Sequence, residues 1–295
     1  VGQVSLNFMQ APLSTTVADR VPENRVGMVS GLSGVGMMGG FTGGSVVAGL
    51  LMNRLGLNTY FVFALAVVVG ALLFVTLAKD RSSKDLDVAP FDWIGFFKGY
   101  AVPMRDHDFR WTWVARFFMF FGYTAISNYV VYILQSHMQP ALSAAEANTT
   151  YAGLSSAALP GQLLMMLVAG RLSDRVGRRK PFVIGSSAFI AAIMLIPILV
   201  PTLPAFYVFF ILLAASYGMY MAVDVALFID VLPDKEAAGR DLGVANVASN
   251  IGQMLAPVAA GQVVALTAGY SSLFIMSIIA VAISAVAIIP VKKVR

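Results

Sequence analysis

Two ionisable residues of opposite sign sit at matching depth inside apolar stretches. Asp224 lies six residues before Asp230, and Arg116 lies six residues after Arg110. At 1.5 Å per helical residue, each is roughly 9 Å in from its charged edge. Of the 15 acids, Asp224 is the one that the hydropathy pattern places within an apolar span. An ionisable group in such a place needs a partner or water and is a functional candidate by default. A carboxylate there can take up and release a proton, with Arg116 as its counter-ion; a structural ion pair near the membrane surface accounts for the same two residues. Tyr217, Tyr220 and Asp224 follow i, i+3, i+7 spacing and share one helix face.

Neutral polar groups form a second set. Asn246, Asn250 and Gln253 share a face, as do Asn128 and Tyr132, and Gln162 lies mid-span. Amides and phenols inside a bilayer hydrogen-bond either a polar solute or a neighbouring helix, and both uses remain open. Other chemistries lack their residues. The chain has no Cys, which excludes disulfides, thiolate zinc sites and a thiol nucleophile. His107 and His137 fall in connecting segments far apart in sequence, so no metal site and no cofactor are expected, and neither is an enzyme. The net charge of +5 is confined to short segments between apolar runs, which speaks against a nucleic-acid partner.

These residues need membrane helices to position them. Of 295 residues, 58% are hydrophobic and 12% charged, with a mean hydropathy of +0.79. A soluble domain averages about 45–50% apolar and about 25% charged. Nine continuous apolar runs approach the roughly 20 residues a crossing requires: 1–18, 27–51, 58–78, 111–135, 150–170, 181–200, 203–229, 242–265 and 270–291. Their continuity predicts helices and not an alternating barrel. Apart from Arg54, all 20 cations fall in one alternate set of connections or next to it. The positive-inside rule makes that set cytoplasmic, together with the C-terminus. No signal peptide is legible, and the start at Val1 looks like a cut through a longer protein.

Residues 79–110 form the longest connection, with six acids balancing six cations. They read as a cytoplasmic linker between a partial first half (1–78) and a six-helix second half (111–295). Phe91, Trp93, Phe96 and Phe97 suit the membrane interface. The two halves share an internal repeat. Asp19 to Pro22 and Asp230 to Pro233 each open an Asp-x-x-Pro turn, and Gly31, Val35, Gly40 and Gly49 recur 212 residues later as Gly243, Val247, Gly252 and Gly261. Repeats of this kind characterise secondary transporters. The spacing predicts that about three further helices belong in front of Val1.

Between the fifth and sixth apolar runs lies a basic hairpin, Gly170-Arg-Leu-Ser-Asp174-Arg175-Val-Gly177-Arg178-Arg179-Lys180. At every specified position it resembles the cytoplasmic hairpin motif of the major facilitator superfamily. The resemblance covers the chain as that family's last nine helices and implies an all-α helical bundle. It also implies a role for Asp174. In the family this acid binds the positive N-terminal end of a helix from the other half, here one starting near Val26, and so latches the cytoplasmic side.

The resemblance further implies alternating access about a central cavity lined by the helices that carry Arg116 and Asp224. The Arg116–Asp224 pair is then expected to open when a proton or substrate binds. Residues 230–244 are similar to cation-coupled sugar symporters of the superfamily. The Gly39 to Gly44 stretch only faintly resembles an antiporter element, because Gly40 replaces its proline. The expected function is secondary transport of a small organic solute, proton-coupled and sugar-like. Proton-antiport efflux of lipophilic compounds is an alternative, as is a truncated membrane protein that transports nothing. The expected partners are the substrate, a proton and the lipid bilayer, and the expected location is the plasma membrane.

Overall fold

The computed structural model describes residues 26–77, 93–234, 238–267 and 269–294. The apolar run 1–18, the Asp19 to Pro22 turn and the centre of the linker lie outside them. Among the described residues there is no strand. The helices are α1 (Val26–Leu55), α2 (Thr59–Leu77), α3 (Trp93–Ala101), α4 (His107–Ser127), α5 (Val130–Ser136), α6 (Ala144–Val176), α7 (Lys180–Ile193), α8 (Ile196–Leu199), α9 (Leu203–Val231), α10 (Ala238–Thr267) and α11 (Ser271–Ala287).

Local signals in the sequence set the helix boundaries. Asp106 caps α4 by accepting the backbone N–H groups of Asp108 and Phe109, each at 3.0 Å. Ser143 and Glu146 form a capping box that starts α6. α6 ends at Gly177, whose φ of 63° is left-handed, a conformation that glycine adopts without steric cost. Pro181 and Pro204 occupy the first turns of α7 and α9, where a missing N–H costs nothing.

Four helical segments are long and apolar enough to cross a membrane: Gly56–Leu77, Ala144–Ser173, Lys180–Leu199 and Leu203–Val231. α4 and α5 together give a fifth, bent by 46°. The sequence predicts a single uninterrupted span over 111–135; the structure breaks it at Asn128 and Tyr129. α1 and α10 each run for 30 residues, about 45 Å at 1.5 Å per residue. In α10, Asn246, Asn250, Gln253 and Gln262 dilute the apolar character.

The helices from α4 onward pack as interleaved pairs: α6 against α9, α4 against both α10 and α11, and α7 between α9 and α11. α1 lies along α6. In a membrane, close approach depends on small residues. A Cβ added to Gly218 of α9 would collide with the Gln162 carbonyl oxygen of α6, and one on Gly252 of α10 would lie 2.7 Å from the Phe117 carbonyl oxygen of α4. The core between these helices is rich in aromatic rings, with Phe109 edge-on to Phe228 and Phe209 edge-on to Phe274.

Candidate functional site

Arg116 projects from α4 toward Asp224 on α9. Nε of Arg116 lies 3.1 Å from Oδ2 of Asp224, and the side chains are 8% and 1% exposed. Those exposures make the pair a buried one, screened little by solvent. Both atoms are nonetheless without a hydrogen bond, so the N–H does not point along the contact. The other carboxylate oxygen, Oδ1, accepts the Tyr220 hydroxyl at 2.9 Å. Aromatic faces enclose the guanidinium: its carbon lies 4.8 Å from the Phe228 centroid and 5.7 Å from that of Phe120, within cation–π range.

A strip of aromatic residues leads from this pair to a cavity. Phe120 meets Tyr217 edge-on, and Tyr217 stacks on Tyr123 with centroids 3.7 Å apart and planes 5° from parallel. Tyr123 in turn lines a cavity of ≈ 70 Å³ bounded by α1, α4, α6 and α9. Ser45, Ser127, Tyr151, Ser155 and Gln162 supply its polar lining, and none carries a formal charge at neutral pH. The space suits ordered water, and its donors and acceptors suit a neutral solute with hydroxyl or amide groups.

Gln162 thus lines the cavity, Tyr217 stands between the cavity and Phe120 beside the ion pair, and Tyr220 bonds Asp224 itself. Other sequence candidates stand elsewhere. Asn128 caps the C-terminal end of α4 and is exposed, as is Tyr132 beyond the bend. Asn246 is exposed on α10, while Asn250 and Gln253 are half-buried. The sequence reading passed over Tyr123, Ser127, Tyr151 and Ser155. Arg116, Phe120, Tyr123 and Ser127 follow i, i+4, i+7, i+11 spacing, a helical face that points from the pair to the cavity. Among the described residues, no cluster of three or more His, Asp or Glu could hold a metal ion.

The basic hairpin is tighter than its sequence implies, because α6 continues to Val176 and only residues 177–179 separate it from α7. Gly170 sits inside α6 and not in the turn; a Cβ there would lie 3.9 Å from that of Ala222 on α9. Arg175 and Arg178 are exposed. Arg179 pairs with Asp230 at 3.2 Å, and Lys180 Nζ donates to the Ile289 and Val291 carbonyls just beyond α11. The side chain of Asp174 lies outside the described residues.

A neighbouring pair of acids holds the C-terminal segment. Asp108, 4% exposed, accepts the backbone N–H groups of Lys292 and Lys293, and Asp106 accepts the Lys293 ammonium at 2.6 Å. Burial pushes the Asp106 carboxyl up. The Lys293 ammonium and the N–H groups of Phe109 and Asp108 outweigh this and hold it below its usual value.

Comparison with known proteins agrees with this architecture. The family model described as Major Facilitator Superfamily matches residues 3–149 and 112–295, together nearly the whole chain. No curated protein matches it.

Proposed function

The chain belongs to the Major Facilitator Superfamily, and on that premise we propose that it is a proton-coupled carrier of a small polar organic solute, with sugars as the leading class. The family is one of secondary transporters, so the chain is an integral multi-pass membrane protein with a small-molecule substrate. In the proposed arrangement, residues 1–78 belong to the first half, 79–110 form a cytoplasmic linker and 111–295 form the second half. The hairpin at 170–180 and the C-terminus face the cytoplasm of a cell whose plasma membrane holds the protein. Asp174 latches the cytoplasmic side through the start of α1.

The coupling role rests on the buried Arg116–Asp224 pair. Its two charges neutralise each other, yet the facing Nε and Oδ2 form no hydrogen bond. A proton arriving at Asp224 removes the attraction and frees Arg116. The stacked Tyr123 and Tyr217 join that event to the cavity, which at ≈ 70 Å³ must widen to admit a solute and so would displace the same rings. Neutral hydroxyl and amide groups in the lining favour a polar solute over the lipophilic compounds of an efflux pump.

Uptake into proteoliposomes by the full-length protein, followed against pH, tests the coupling. Asp224→Asn is expected to retain binding and lose the pH dependence; an unchanged profile refutes the role of Asp224. Thermal-shift screening against sugars and lipophilic cations tests the substrate class. Stabilisation by lipophilic cations alone would favour efflux.

A further inference from the structure

Transport leaves unused a groove on the outer side of α7. It has a volume of ≈ 590 Å³ and is lined by Arg178, Lys180, Pro181, Ile184 and Gly185. Gly185 adds no side chain to its floor, and a Cβ built there meets no atom within 4 Å. α7 packs on α9 and α11, and Pro181, Gly185, Ala188 and Phe189 on its remaining surface are exposed. The groove therefore has a cationic end at the hairpin and an apolar floor running along a membrane helix.

The two cations are not equivalent. Lys180 already serves the Ile289 and Val291 carbonyls. Arg178 is exposed just after the left-handed Gly177, and its planar fork of donors matches a phosphate. The hairpin's charge is strongly one-sided: Arg171, Arg175, Arg178, Arg179 and Lys180 stand against Asp174 alone. Basic pockets at the membrane surface attract anionic lipid headgroups. A bare phosphate has no use for the apolar floor, whereas an acyl chain does.

We propose that this groove binds one anionic phospholipid, with its phosphate on Arg178 and its acyl chain along Pro181, Ile184 and Gly185. The site requires only that α7 lie in a bilayer, so it stands apart from the substrate and coupling assignments.

The absence of Cys provides the test. Ala188→Cys gives the single thiol of these 295 residues, one helical turn from Gly185, with any Cys outside them replaced by Ser. With a bimane label there and the protein in nanodiscs, quenching by brominated phosphatidylglycerol is compared with quenching by brominated phosphatidylcholine. Apparent association is expected to be about fivefold stronger for the anionic lipid, the effect of one cation at a charged surface. Arg178→Gln is expected to abolish that preference. Gly185→Phe, which fills the groove and leaves the charge intact, is expected to abolish it too. Equal quenching by the two lipids overturns the proposal, as does a preference that survives Arg178→Gln. If millimolar inorganic phosphate erases the preference, the site is a simple anion site and the lipid assignment is wrong.

Discussion

Nε of Arg116 and Oδ2 of Asp224 lie 3.1 Å apart on facing helices, both buried, and neither makes a hydrogen bond. Charge alone holds this contact. Such a pair adds little net stability, because desolvating two ions offsets most of their attraction. Removing one partner is a different matter. Asp224→Leu leaves the Arg116 charge buried without its counter-ion and is expected to cost about 3–5 kcal/mol. Adding Arg116→Met to the same protein should restore most of that loss. Unfolding of the two variants in detergent checks this; equal destabilisation by the single and double replacements would show that the charges are not energetically coupled.

The cavity should govern solute affinity separately from proton linkage. Gln162→Ala removes one neutral hydrogen-bonding group from its wall. A hydrogen bond of this kind is worth about 0.5–1.5 kcal/mol, so KM for the transported solute should rise about two- to tenfold. The pH profile of uptake should stay where it is. A shifted pH optimum with unchanged KM would remove the cavity from the solute path.

Two glycines predict opposite responses to one methyl group. At Gly218 a Cβ collides with the Gln162 carbonyl oxygen, whereas at Gly185 it meets nothing. Gly218→Ala must push α6 and α9 apart and should cost about 1–3 kcal/mol. Gly185→Ala should be neutral or raise stability by up to about 1 kcal/mol through helix propensity. Thermal melts of the two variants provide the comparison.

Acid should loosen the C-terminal segment. Asp106 is held below its ordinary value of 3.8, so it binds protons less readily when folded than when unfolded. Its contribution is complete above that value and is lost as pH falls through the lower folded value. Lys293 is 43% exposed, so solvent screening limits the ion pair to about 1 kcal/mol or less. Stability measured between pH 7 and pH 3 should fall more steeply in the parent protein than in Asp106→Asn. Parallel curves would show that the ammonium contact contributes nothing.

Much of this arrangement was legible in the sequence because bilayers impose simple rules. Continuous apolar runs marked the helices, and the equal offsets of Arg116 and Asp224 from their charged ends placed both at one depth. Other features depend on distant groups. Asp108 reads as one more acid in a charged linker, yet it is buried because backbone N–H groups 184 and 185 residues away come to it. Asp241 is likewise fully buried, with Arg240 beside it at 2.8 Å. Asn128 and Tyr132 share a face only if the helix between them is continuous, and the bend after Ser127 breaks that phase. Hydropathy could not reveal the Tyr123–Tyr217 stack, which joins two helices through ring geometry.

The anchoring of the C-terminal segment also orders events in time. Asp108 and Lys180 leave the ribosome well before the residues that satisfy them, 289–293, have been made. At about 5–20 residues per second, Asp108 waits roughly 10–40 s for its partners. Throughout that interval its Oδ2 must stay hydrated, since its local partner, the neighbouring His107 ring at 2.9 Å, reaches Oδ1, and an unsatisfied carboxylate oxygen cannot be buried cheaply. Helix α11 can pack on α4 and α7 before then, but the polar ties from Asp108 and Lys180 close only once residues 289–293 have been made.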